Sequence, residues 1–351
     1  MRETMQAAVV YGPRDLRVED RAVPDAPAGS IRVRVMACGL CGTDRRIYTT
    51  GDFRASYPIV VGHEIAGVVD DVAPGVVGAR PGDRVCVAPG HGCGECRMCR
   101  SGHPNVCTQP LPSLGYRVDG GFAGYIAVPE NIYRLGFINA IPEALSFDEA
   151  AMSEVVACCL NAQENSPVQE GDVVLVLGAG PAGAIHSQLA RLRGARQVIL
   201  AQRSRARLDL VTARFAVSRA VSMADEDLRS VVMDETAGEG ADVVYVCAPS
   251  RAAQELALEL AAPRGRINFF GGLPRDDRLA SVDANTVHYR ELFIAGASSS
   301  LPEHNREALR LLASREIDPA LLITHRFPLE EIEEAFGVAE RREGIKVVVN
   351  P

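Results

Sequence analysis

The sequence predicts an α/β-plus-β fold in two parts, a partly closed β-barrel domain interrupted by a doubly wound, parallel α/β domain. Three observations predict it. The 351 residues, at roughly 150 per domain, suggest two cores. The first third is written in short β-branched runs separated by Gly, Pro and Asp. From about residue 154, strands alternate with helices, which implies right-handed crossovers and a parallel sheet. Apolar residues at 47% and charged residues at 23% are ordinary for a globular chain and exclude a disordered, collagen-like or coiled-coil one.

The barrel strands are expected at 7–11, 31–36, 65–72 and 84–88. In the second part, 173–177 reads as a buried strand, 182–192 as a helix and 197–201 as the next strand. A helix at 205–214, a strand at 242–247, a helix at 252–260 and a strand at 266–270 follow. After about residue 288 the pattern is mixed: helices at 302–313 and 329–340 and a last strand at 346–349. This tail is expected to return to the first domain, giving a barrel domain of 1–153 and 289–351 around an α/β domain of 154–288.

With 37 basic and 45 acidic side chains the net charge is −8, and no long basic run is present, so a small molecule is expected as partner rather than nucleic acid. The stretch 1–15 lacks the apolar core of a secretory signal, and the longest apolar stretch, 173–185, is too short and Gly-rich to span a bilayer. The expectation is a cytoplasmic chain with no membrane contact. In that compartment ten cysteines suit metal better than disulfides.

Cys93, Cys96, Cys99 and Cys107 fall within fifteen residues punctuated by Gly and Pro. Four thiolates so placed can wrap one tetrahedral Zn²⁺, closed to substrate and therefore structural. Free thiols, a redox pair, or replacement of one sulfur by His91 or His103 are the competing readings.

Cys41 follows one expected strand and the pair His63 and Glu64 follows another. One thiolate, one imidazole and one carboxylate leave a position open, the arrangement of a catalytic zinc. Glu154 is the only charge in the apolar segment 150–160, where an ionised carboxylate is costly unless paired or metal-bound; an exposed helix face is the alternative. Cys38, Cys158 and Cys159 read as packing residues.

Gly178, Gly180, Pro181 and Gly183 form Gly-x-Gly-Pro-x-Gly between a buried strand and a helix. The glycines allow a tight turn, and the helix N-terminus offers N–H groups to a pyrophosphate. An NAD site would place an acid at the end of the next strand. Here the residues are Gln202, Arg203, Ser204, Arg205 and Arg207, with no acid until Asp209. Guanidinium groups there suit a 2′-phosphate, so NADP(H) is expected over NAD(H); a solvated helix start is the plainer reading.

Together, Gly62-His63-Glu64-x-x-Gly67-x5-Ala73-x-x-Val76, Cys41-Gly42-Thr43-Asp44, the four-cysteine loop and the Gly178–Gly183 turn resemble the zinc-containing medium-chain alcohol dehydrogenases over almost the whole chain. Glu64 beside His63, and Glu rather than Cys at 154, resemble the polyol (sorbitol or ketose reductase) and threonine dehydrogenase branch. The resemblance implies a GroES-like catalytic barrel made of both chain ends, a Rossmann domain inserted between them, an active site in the cleft, and a homodimer or homotetramer. It implies two zinc ions per chain, and reversible oxidation of a secondary alcohol to a ketone by hydride transfer to NADP⁺.

Carried over, Cys41, His63 and Glu64 would ligate the catalytic zinc, with Glu154 ligating directly or through water. Thr43 would pass the hydroxyl proton, and Asp44 would orient His63. Gln202 stands in place of an NAD-selecting Asp, with Arg203 and Arg207 on the phosphate. Three departures stand out. Arg46 replaces a His of the threonine branch and would meet an anionic substrate group or the solvent. No Pro follows Glu154. Cys247-Ala248-Pro249 replaces a Gly-rich turn. Two other readings remain: a zinc-independent NADPH reductase of quinones or activated alkenes, and a non-catalytic dinucleotide-binding protein.

Overall fold

A computed structural model describes residues 3–26 and 28–351 of the chain, which divides into two compact units. The first runs to Ala157 and resumes at Ser300–Pro351; the second is Cys158–Ser299.

The first unit holds β1 (Thr4–Gly12), β2 (Asp15–Ala22), β3 (Ile31–Leu40), β4 (Ile59–Val60), β5 (Glu64–Val72), β6 (Arg84–Val87), β7 (Tyr125–Val128) and β8 (Ile138–Ala140). A small sheet has the order β2-β1-β4. A larger one has the order β15-β16-β3-β5-β6-β8, where β15 (Ile323–Pro328) and β16 (Lys346–Asn350) come from the returning tail. The central strand β3 pairs with β7 along its first half and with β16 along its second, and β5 lies along its other edge. Alternation along these strands sends Val33, Val35, Ile65, Val85, Ile126 and Val347 into one apolar core with Phe122 and Phe336.

The second unit is a six-stranded sheet of order β11-β10-β9-β12-β13-β14. Its strands are β9 (Val173–Leu177), β10 (Gln197–Gln202), β11 (Arg219–Ser222), β12 (Ala241–Val246), β13 (Ala261–Phe269) and β14 (Phe293–Gly296), all paired in parallel. The strand order reverses at β9, where a doubly wound sheet opens its ligand crevice. β9 is buried at every position, as a strand covered on both faces must be.

Most elements fall where periodicity places them; Val173–Leu177 and Pro302–Ala313 coincide with their expected ranges. The chain returns later than the change in texture near residue 288 suggests, because β14 adds to β13 with Phe293 beside Arg266 and so belongs to the nucleotide sheet. The forward division falls inside the helix Ser153–Asn165, so Glu154 lies in the first unit. β2, a charged sequence with no strand signature, is held by its register on β1.

Candidate functional site

The first unit carries two clusters of metal-capable side chains. In one, Cys93, Cys96, Cys99 and Cys107 place their sulfurs within 4.8 Å of one another. Sγ–Sγ separations are 3.9 Å for Cys93 and Cys99 and 3.7 Å for Cys96 and Cys107. A tetrahedron with Zn–S bonds of ~2.3 Å has edges of about 3.8 Å, so the sulfurs fit a closed zinc site. Backbone donors favour thiolates at Cys93 and Cys96, whereas burial raises the Cys99 and Cys107 thiols. Backbone N–H groups of Glu95 and Cys96 donate to Cys93 Sγ, that of Cys99 to Cys96 Sγ, and those of Cys93 and Gln109 to Cys107 Sγ, at 3.3–3.5 Å. N–H groups of Cys99 and Thr108 pull the Cys96 thiol down to about 5. His91 turns its Nε2 to Asn105 O at 2.7 Å and is not in the cluster.

In the other cluster, ligand atoms of Cys41, His63 and Glu64 likewise lie within 4.8 Å of one another. Asp44 brings them together. It is the third residue of the helix Gly42–Thr49, and its Oδ2 accepts the Cys41 N–H at 2.8 Å, closing the helix start. Its Oδ1 accepts the Gly62 N–H at 3.0 Å and the His63 Nδ1–H at 3.1 Å. A single buried carboxylate thus ties the end of β3 to the turn before β5 and leaves His63 Nε2 for a ligand. Burial works against the Asp44 anion, but the imidazole and the two N–H donors hold its pKa below the usual carboxylate value.

Glu64 opens β5 directly beside Gly39 of β3 and is 0% exposed. A Cβ on Gly39 would stand 2.0 Å from Glu64 Oε2, so only glycine leaves the carboxylate its place. Oε2 is buried without a hydrogen-bond partner, and Oε1 accepts from the Lys346 ammonium. Lys346 also donates to Leu40 O at 3.1 Å. Burial opposes the ammonium, yet Glu64, Cys41 and Glu154 raise its pKa above the ordinary lysine value. Burial likewise opposes a charged His63, while Tyr116, Asp44 and Cys41 lift its pKa well above the ordinary histidine value. The pocket's electrostatics therefore favour positive charge. The orphaned Oε2 and the mixed sulfur, nitrogen and oxygen donors fit a divalent ion.

Glu154 is buried at the start of its helix but lies outside the three-residue cluster. Thr43 sits half-buried on the first turn of Gly42–Thr49. Arg46 is committed within the protein: its Nε donates to Asp52 Oδ2 at 2.8 Å, and Arg54 holds both oxygens of the same carboxylate at 2.9 and 2.8 Å. Arg54 lies 5.1 Å over the Tyr116 ring, which is 5.4 Å from the His63 ring. Lys346, Gly39, Tyr116 and the Asp52 pair were not singled out from the sequence.

In the second unit, Gly180 caps the helix Pro181–Leu192 without a side-chain cap, and open space lies where its Cβ would be. A Cβ on Gly183 would stand 1.9 Å from Gly178 O, so the turn closes on the helix only with glycine there. The first-turn N–H groups and the clear approach at Gly180 fit a pyrophosphate. Gln202 Oε1 accepts the Ala179 N–H at 3.4 Å. Arg207, expected on a phosphate, is buried, with its Nε donating to Ala179 O at 2.8 Å, so it braces the turn from the first turn of the helix Arg205–Thr212. Arg203 is exposed, Ser204 caps that helix, and Arg205 pairs with Asp225.

Residues 27–136 match the alcohol dehydrogenase GroES-like domain and residues 181–314 the zinc-binding dehydrogenase family. The chain is 28% identical to a sorbitol dehydrogenase of Bacillus subtilis (99% of this chain, 98% of the relative). It is 32% identical to an L-threonine 3-dehydrogenase of Anaeromyxobacter (95% of each). Among solved structures, a zinc-binding dehydrogenase from Sinorhizobium meliloti bound to NADP superposes with TM-score 0.91 at 29% identity, covering 100% of both chains. The rspB alcohol dehydrogenase of Escherichia coli with NADH superposes with TM-score 0.89 at 31% identity, covering 99% of both.

The chain belongs to the zinc-containing medium-chain alcohol dehydrogenase family, in its polyol and threonine dehydrogenase branch. It is a dehydrogenase of the alcohol or polyol type, built from a GroES-like domain and a Rossmann-like one. Among the described residues no helix is long and apolar enough to cross a membrane.

Proposed function

We propose that this chain is a zinc-dependent oxidoreductase that interconverts a secondary alcohol and its ketone with NADP(H). The alcohol is a polyol, sugar, cyclitol or amino-alcohol. The observation that carries this reading is the convergence of Cys41, His63 and Glu64 within 4.8 Å, with one buried carboxylate oxygen left unpartnered. These three residues hold the catalytic ion, and Glu154 supports it directly or through water. Bound there, zinc supplies a Lewis acid for the alcohol oxygen. Thr43 carries the hydroxyl proton away, and Asp44 keeps the His63 ring in the tautomer that presents Nε2.

The four-cysteine loop holds a second, structural zinc. Gly178, Gly180, Pro181 and Gly183 receive the pyrophosphate of the cofactor. Arg203, exposed beside Gln202 where an acid would select NAD, meets the 2′-phosphate, while Gln202 and Arg207 shape the turn. We place the protein in the cytoplasm as a homodimer or homotetramer. None of the ten cysteines is in a disulfide, and β14 is an edge strand with exposed Phe293 and Ile294 that suits a second copy.

The test is reduction of NADP⁺ and NAD⁺ across a panel of such alcohols by protein of measured zinc content. About two zinc ions per chain and alcohol-dependent NADPH formation are expected. Preference for NAD⁺ overturns the role of Arg203. A protein active on quinones without zinc overturns the whole reading.

A further inference from the structure

Lys346 has no role in the reaction proposed above, yet it is 2% exposed and sits against the Cys41, His63 and Glu64 cluster. Its place follows from register. β16 runs antiparallel to β3 with Val347 opposite Leu40, so the residue before Val347 stands at the end of β3. From there the side chain donates to Leu40 O and to Glu64 Oε1. The other oxygen of Glu64 is held where Gly39 lacks a Cβ and has no hydrogen-bond partner. The carboxylate is thereby divided, one oxygen tied to an ammonium and the other without a partner, on a residue that brings a ligand oxygen within 4.8 Å of the Cys41 and His63 ligand atoms.

We propose that Lys346 is a positioning residue for the metal. By occupying Oε1 it restricts Glu64 to a single metal-facing oxygen, and its charge offsets one anion of the ligand set, limiting how tightly the ion is held. This inference rests on the reading that Cys41, His63 and Glu64 hold a divalent ion.

The experiment uses the full chain with zinc in the four-cysteine loop and Co²⁺ in the open site. Visible absorption and Co²⁺ affinity against a competing chelator are measured for the wild type, Lys346→Met, Glu64→Gln and the double variant. In Lys346→Met the released Oε1 turns to the ion and one positive charge is gone. Affinity is expected to rise about tenfold, and the Co²⁺ bands to weaken toward those of a higher coordination number. In the Glu64→Gln background the change at Lys346 is expected to leave the Co²⁺ spectrum unaltered and to raise affinity by less than in the wild-type background, since only the charge effect remains.

An unchanged spectrum and affinity in Lys346→Met overturns the proposal and leaves Lys346 a packing residue. So does a spectral difference between Glu64→Gln and the double variant, a comparison that stands even if Lys346→Met does not fold. A wild-type chain that takes up metal only in the four-cysteine loop overturns the metal reading of the open site and this inference with it.

Discussion

The two metal-capable clusters of the first unit are built in opposite ways. The four-cysteine loop is local: its four sulfurs come from fifteen residues, are half-buried, and are held by N–H groups of the same loop. The Cys41, His63 and Glu64 cluster is assembled from afar. It joins the end of β3, the start of β5 and, through Lys346, the start of β16, with Asp44 and Glu64 wholly buried. The first arrangement can close around an ion but offers it no further chemistry. The second keeps unlike donors, an orphaned oxygen and buried charged neighbours, which is how a site tunes an ion rather than storing it.

The sharpest way to break this contrast is Cys41→Ser. Loss of Lewis-acid assistance removes several kcal/mol of transition-state stabilisation, so kcat is expected to fall on the order of 10³-fold or more. NADPH binding, followed by fluorescence titration, stays at the wild-type level. Normal turnover in this variant would move the reaction away from the buried cluster.

Cys107→Ser should do the reverse. Zinc content is expected to drop by one ion and Tm by roughly 5 °C or more, measured by calorimetry, because the loop loses its clamp. The kcat of the folded protein is unchanged. If instead kcat collapses while Tm holds, the loop is not the structural member of the pair.

Asp44→Asn preserves shape but removes the charge facing His63. Metal affinity of the open site is expected to fall about 10–100-fold, read by chelator competition, with the loop zinc retained.

The finest contrast is between two buried histidines. His63 faces a carboxylate, whereas His186 of the second unit packs 4.3 Å from the Tyr245 ring and accepts from Gln163 Nε2 at 3.4 Å. Burial, with a smaller push from Arg193, drives the His186 pKa down from 6.5 to about 3. The unfolded chain therefore binds the proton that the folded chain refuses. Stability from this group is complete above pH 6.5 and falls by about 1.4 kcal/mol per pH unit below it, until the folded pKa is reached. Urea unfolding at pH 6.5 and pH 5 should show this slope in the wild type and its loss in His186→Phe. Equal slopes would mean that His186 is not held neutral.

What the sequence makes legible follows the same division. The cysteine loop and the Gly178–Gly183 turn are local, so spacing and flanking elements reveal both. Cys41 and His63 are visible as fragments, each beside a strand, and the family resemblance pairs Asp44 with His63, but nothing in the order of residues states that Asp44 also holds the Cys41 and Gly62 N–H groups. Gly39 and Lys346 are invisible for a stronger reason. Their roles depend on register, Gly39 beside Glu64 and Val347 opposite Leu40, between strands far apart in the chain. Arg46 and Arg207 show the limit of reading charge alone: both are cations in the expected place, yet Arg46 is paired with Asp52 while partly exposed, and Arg207 is turned inward to Ala179 O. The boundary near residue 288 fails likewise, because the pairing of β14 with β13 is a long-range fact.

The return of the chain to the first unit has a consequence for biosynthesis. While a ribosome is still emitting the nucleotide unit, β3 and β5 are already available, but the strand that carries Lys346 has not been made. Glu64 must then stay hydrated or borrow a transient counter-ion, and the open site cannot reach its final form until the tail docks. The four sulfurs of the cysteine loop are brought together without the returning tail. The two clusters are therefore completed in order, with the buried one last.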